Sequence, residues 1–177
     1  LWLSSAPCSL HYDWPYSMFL HYIRTGKRNF FDSGVEMIKH RFDIDQYHGD
    51  RTDKKNSHKY KNYMQFYESE GHADPTITLH NPSEVGLPTH TWINGLILYY
   101  LLTGDKKAWE AAEEVGKGMM NHFGPGGLSD ANSTACTNEE IRHWSWSILN
   151  LLNLYRANGN PTYLTVAKNM AKNWLLH

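Results

Sequence analysis

Three stretches of the chain carry one pattern of apolar and polar positions. Residues 13–42 read DWPYSMFLHYIRTGKRNFFDSGVEMIKHRF, residues 91–123 read TWINGLILYYLLTGDKKAWEAAEEVGKGMMNHF, and residues 146–177 read WSILNLLNLYRANGNPTYLTVAKNMAKNWLLH. Each opens with an aromatic-rich apolar run, crosses a short glycine-containing turn and continues with apolar residues spaced three and four apart. In the second runs, Gly34, Met37 and Ile38, then Trp109, Ala112, Val115 and Met119, then Tyr163, Val166, Ala167 and Met170 follow the period of an amphipathic helix. The first runs, such as 93–102 and 148–155, are apolar nearly all round, which predicts helices covered on more than one side.

The turns are Thr25-Gly26-Lys27, Thr103-Gly104-Asp105 and Asn158-Gly159-Asn160-Pro161. Glycine suits the left-handed position that ends a helix, and Pro161 suits the first turn of the next one. The pattern therefore predicts an all-α fold of three antiparallel helical hairpins, at about 13–42, 90–123 and 139–177, in a single domain spanning 1–177. The helices are expected near 13–24, 28–42, 91–102, 106–122, 139–157 and 161–175. Within a hairpin the connection is short; between hairpins the chain runs through an insertion at 43–89 and a second connection at 124–138. Each hairpin returns to its starting end, so the long connections share one face. Long loops on a rigid helical scaffold are a preferred place for binding and catalysis.

Composition sharpens that expectation. The 177 residues hold 17 Lys and Arg against 18 Asp and Glu, a formal charge of −1, which speaks against nucleic acid or an anionic membrane surface as partner. No apolar run approaches the roughly 20 residues of a membrane span. Two cysteines, Cys8 and Cys136, are too few for a disulfide framework or a zinc ribbon. Asn132-Ser133-Thr134 is a glycosylation sequon, and both a cytoplasmic and an extracytoplasmic setting stay open. Histidine is the compositional anomaly: nine of the eleven fall on the long-loop face or at helix ends turned toward it, His21 and His177 being the others.

Hairpins punctuated by a Thr-Gly-Asp turn resemble those of (α/α)6 toroids, the helical barrels of many polysaccharide lyases and glycoside hydrolases. The stretches LHYDWPY at 10–16, HRFDIDQYH at 40–48 and THTWINGLILYYLLTGD at 89–105 look more particularly like the toroid domain of exo-rhamnogalacturonan lyase-like proteins. The likeness covers most of the chain. A full toroid has six hairpins and three are present, so the resemblance implies either part of a larger polypeptide or self-association through open toroid flanks. It also implies an oligo- or polysaccharide substrate.

Three constellations carry candidate chemistry. The first is His11-Tyr12-Asp13-Trp14, with His90-Thr91-Trp92 and Arg142-His143-Trp144 at the matching ends of the other hairpins. Asp13 suits a helix N-cap, followed by Pro15 in the first turn. The repeated His beside Trp predicts a shared site, with His11, His90 and His143 facing one concave side and Trp14, Trp92 and Trp144 as sugar-stacking walls. The second constellation is His40 to His48. Its His40 and Arg41 suit the end of a helix dipole, while Asp43, Asp45 and His48 have ligand chemistry without a defined metal motif. A cofactor is not indicated, although a divalent metal stays open. The third is the insertion itself, with His72 and His80 in its loops, whereas the run Asp53-Lys54-Lys55-Asn56 reads as a solvated tip.

A lyase acting on a uronic acid must neutralise the carboxylate, remove the C5 proton and protonate the leaving O4. The long-loop face offers His90 or His143 as base and Tyr12 or Tyr47 as acid, with His11 and His48 as further catalytic candidates, and Arg41 or Arg142 as carboxylate clamp. Asn94, His40, Asp13, Asp45, His72 and His80 join the three tryptophans as substrate-binding candidates. Two alternatives remain. A glycoside hydrolase would use paired carboxylates, drawn from Asp13, Asp43, Asp45 and Glu84. A non-catalytic helical-repeat module would bind a protein on its concave face, but predicts short, similar loops on both faces.

Overall fold

The computed structural model describes residues 12–46, 91–123 and 141–175. Among them lie six α-helices and no strand: α1 (Trp14–Thr25), α2 (Arg28–His40), α3 (Asn94–Thr103), α4 (Lys106–Phe123), α5 (Ile141–Asn158) and α6 (Pro161–Leu175). A five-residue π-helical turn, Arg41–Asp45, extends α2. The all-α expectation and the three hairpins, α1/α2, α3/α4 and α5/α6, are met. The helix expected to run to residue 42 instead widens into the π turn after His40.

The hairpin turns repeat one geometry. Gly26, Gly104 and Gly159 have φ of 67°, 75° and 73°, and each donates its N–H to a tyrosine carbonyl four residues back, Tyr22, Tyr100 and Tyr155, at 2.7 Å. The residue before each glycine then restarts the chain. The side-chain oxygens of Thr25, Thr103 and Asn158 accept from the amides of Lys27, Asp105 and Asn160. In the last two hairpins Asp105 and Asn160 pass the same service on to Lys107 and Thr162. These short polar side chains satisfy the amides that a new helix cannot bond internally. In the first hairpin Lys27 occupies that place and has no acceptor to offer.

Consecutive hairpins pack through their first helices, α1 on α3 and α3 on α5, with α4 also against α5. The core runs through all three. Phe19 stacks on Tyr99 at 5.6 Å and touches Phe31 at 5.9 Å, while Val115, Met119, Leu151, Leu154 and Met170 are fully enclosed. Gly34 and Gly116 let helices approach closely: a Cβ on Gly34 would stand 2.6 Å from the Phe19 ring, and one on Gly116 would collide with Leu154.

The first helix, α1, is less enclosed than the apolarity of the first runs predicts. In α1 only Pro15 and Phe19 are buried, and Leu20 and Ile23 lie exposed. Among the described elements α1 packs against α2 on one side and α3 on another, which leaves a third side open.

Candidate functional site

The chain enters α1 through two successive non-glycine residues in the left-handed region, Tyr12 at φ 58° and Asp13 at φ 57°, ψ 54°. Such a conformation costs an ordinary L-residue roughly 1–2 kcal/mol, and aspartate tolerates it better than tyrosine. Asp13 does occupy the N-cap position of α1, but its side chain makes no cap bond to that helix. The expected N-cap is thus met in position, with the Tyr16 amide of α1 near the carboxylate. The left-handed twist turns the carboxylate onto α3, where Oδ2 accepts from the Gly95 amide at 2.9 Å. Asp13 thus caps the first turn of the neighbouring hairpin. Gly95 is required there, because a Cβ would stand 2.5 Å from Asp13 Oδ1.

Burial pushes the Asp13 carboxyl up to about 6, against the opposing pull of the Gly95 amide, the charge of Arg41 and the nearby amides of Tyr16 and Asn94. Arg41, the first residue of the π turn, is itself buried. It acts as partial counter-charge to Asp13. The expected clamp residue Arg41 thus lies in the interior beside Asp13. The π turn is moored at its far end by Gln46, whose Nε2 donates to the Ala111 carbonyl and to Glu114 Oε2 on α4, both at 2.9 Å.

Around this corner the aromatic rings gather. Tyr12 packs against Trp92 at 5.3 Å, and Trp92 meets Trp146 edge-on at 5.5 Å and 82°, so one aromatic chain links all three hairpins. Tyr12 is 60% exposed and Trp14 47% exposed, whereas Trp92 is mostly covered. The equivalence expected of the three tryptophans fails. Trp14 opens α1 and Trp92 precedes α3, but Trp144 stands inside α5 and only 2% of it is accessible. Trp144, Ser147, Leu151 and Leu154 follow three- and four-residue steps, so Trp144 belongs to the core stripe of its helix and cannot wall a sugar site. Trp146 takes the third aromatic place. Counting back from the turn glycines, rather than from the histidines, finds it: Trp92 and Trp146 lie twelve and thirteen positions before Gly104 and Gly159.

The other expected residues separate. Asn94 begins α3 but lines a groove further along the first helices, with Asn153 and Arg156. His40 ends α2 and is half-buried. His11, Tyr47, His48, His72, His80 and His90 lie outside the described residues, as do the side chains of Asp45, Arg142 and His143. The proposed convergence of His11, His90 and His143 therefore falls outside them too. Among the described residues no three His, Cys, Asp or Glu side chains are grouped to hold a metal ion, and no helix is long and apolar enough to cross a membrane.

No family model, curated protein or solved structure matches this chain. The geometry at the Tyr12–Asp13 corner has to carry the functional reading by itself. What it offers is an exposed phenol and an exposed indole on a strained, pinned backbone, next to a carboxyl group whose protonation changes near neutral pH.

Proposed function

We propose that the chain is a carbohydrate-active domain of the polysaccharide-lyase kind, cleaving a uronic-acid-containing saccharide by β-elimination at the end where Tyr12, Trp14 and Trp92 gather. The observation that carries this reading is the Tyr12–Asp13 corner. Strained non-glycine backbone persists where surrounding structure enforces it, and such positions cluster at active sites and ligand clamps. Here the strain holds a phenol outward at the head of an aromatic chain. Aromatic faces suit the apolar faces of sugar rings, and Trp14, two residues on, is a second exposed ring.

In the elimination a base removes the C5 proton, a C4–C5 double bond forms as the C4–O4 bond breaks, and the departing oxygen takes a proton. Tyr12 is the proton donor in this reading, His90 or His143 the base, and Arg41 or Arg142 the group that neutralises the substrate carboxylate. The raised carboxyl of Asp13 favours a second reading, glycoside hydrolysis with Asp13 as general acid, since a carboxyl poised near 6 can hold a proton at neutral pH.

Incubation with a panel of uronic-acid polysaccharides decides between them. Elimination produces the ultraviolet absorbance of an unsaturated uronide, which Tyr12→Phe abolishes. Hydrolysis produces reducing ends without that absorbance, and no product from any member of the panel removes both readings.

A further inference from the structure

A second feature lies on the side of the hairpins where α1, α3 and α5 run next to one another. Between these helices is an open groove of about 460 Å³, within the range of small-molecule sites. Its apolar walls are chiefly Ile97, Leu98 and Leu101 from α3 and Leu149 from α5, its polar line is Asn94, Asn153 and Arg156, and Tyr16 of α1 adds a phenol to the lining. Arg156 is the single charged residue of the lining.

The hydrogen bonds of that polar line have a fixed direction. A guanidinium only donates, so Arg156 Nη1, at 3.5 Å, must meet the carbonyl oxygen of the Asn153 amide. That choice turns Asn153 Nδ2 toward α3, where it donates to Asn94 Oδ1. Each amide oxygen thereby accepts one hydrogen bond within the protein. The free donors that face an occupant are the Nδ2 group of Asn94 and the rest of the Arg156 guanidinium, neither of which makes another side-chain hydrogen bond among the described residues, with the Tyr16 phenol beside them. The groove thus offers one positive charge among amide and phenol groups on one side and hydrocarbon along the walls.

We propose that this groove is a binding site for a small organic acid with an apolar body, its carboxylate held by Arg156 and the Asn94 amide and its hydrocarbon part laid against Ile97, Leu98, Leu101 and Leu149. Charge-assisted hydrogen bonds to a carboxylate are about twice as strong as neutral ones, so the carboxylate sets the orientation while the four aliphatic side chains select an apolar tail over a hydroxylated one. A sugar acid has the right charge and the wrong body. The groove adjoins the saccharide edge through Tyr16 and Asn94 but takes a ligand of different chemistry, and the proposal does not depend on that reading.

Titration calorimetry of the 177-residue chain with hexanoate at pH 7, paired with amide spectra of the asparagine side chains, tests it. Hexanoate binds in the millimolar range and shifts the Asn94 and Asn153 side-chain signals. Hexanamide, uncharged and of the same shape, binds roughly tenfold more weakly, and glucuronate is weaker than hexanoate. Arg156→Gln loses about the same factor, and Asn94→Asp, which keeps the bond from Asn153 but sets a negative charge against the ligand, loses at least as much. Trp14→Ala leaves hexanoate binding unchanged. Absence of hexanoate binding, equal binding of hexanamide, preference for glucuronate, or an Arg156→Gln variant that binds hexanoate like the parent would each overturn the proposal.

Discussion

The carboxylate of Asp13 accepts a hydrogen bond from the amide of Gly95 across 82 positions of sequence, and so one hairpin supplies the helix cap of the next. The consequence for stability is a pH dependence with a definite sign. Burial raises the folded-state value from 3.8 to about 6, so between those values the folded chain holds a proton that the unfolded chain has released. This contribution is fully present below about 4 and is lost as pH rises through about 6.

Asp13→Asn keeps the shape, keeps an oxygen for Gly95 and tolerates the left-handed conformation, but carries no charge to bury. Its stability relative to the parent should therefore increase as pH climbs from 4 to 7, by up to a few kcal/mol in urea unfolding measured across that range. A constant difference at all pH values would show that the Asp13 carboxyl is not raised. Asp13→Ala leaves the Gly95 amide without its acceptor and should lose about 1–3 kcal/mol at pH 7, offset in part by the charge no longer buried.

Much of the fold was legible because its chemistry is local. The turn glycines, the Thr and Asn before them and the periodic apolar positions of α2, α4 and α6 each specify backbone within a few residues, and the helices begin and end where those residues place them. The site was less legible because it is tertiary. No spacing rule connects Asp13 with Gly95, and Asp13 reads as an ordinary cap until the left-handed turn is known. Trp144 and Trp146 differ by two positions, about 200° around a helix, so a match based on His-Trp pairs chose the one that faces the core. Arg41 looked like a cation at a helix end, and the π turn instead carries it into the interior beside Asp13.

The tryptophan correction has a direct measurement. Trp144→Ala empties a space in the core and should cost about 3–5 kcal/mol, visible as a lower unfolding midpoint. Trp14→Ala removes a half-exposed ring from the first position of α1 and should leave the midpoint nearly unchanged while weakening retention on an immobilised acidic polysaccharide. A Trp14→Ala variant that unfolds as readily as Trp144→Ala would place both rings in the core.

Gln46 supplies another test, since it is buried and holds the end of the π turn on α4. Gln46→Ala removes the donor to the Ala111 carbonyl and to Glu114, and should cost about 1–3 kcal/mol. The loss should be local as well as global. Amide hydrogen exchange should accelerate first at 41–45, before the rest of α2 and α4, and unaltered exchange there would mean that Gln46 does not moor the turn.

The glycines divide into two kinds, and one substitution separates them. Gly26, Gly104 and Gly159 have nothing near the place a Cβ would occupy, so alanine there is opposed only by the positive φ, at about 1–2 kcal/mol each. Gly34 and Gly116 have ordinary helical backbone, where alanine is intrinsically favoured by up to about 1 kcal/mol. Yet at Gly34 the new methyl meets the rigid, fully buried ring of Phe19, and at Gly116 the side chain of Leu154. Overpacking of this kind costs about 1–3 kcal/mol and outweighs the helix preference, so Gly34→Ala and Gly116→Ala should both destabilise. The second change, Phe19→Leu, distinguishes the causes: it removes the ring that obstructs Gly34 and should make Gly34→Ala less harmful than it is in the parent. A double-mutant cycle with no coupling between positions 19 and 34 would show that the close contact of α1 and α2 is not what selects glycine there.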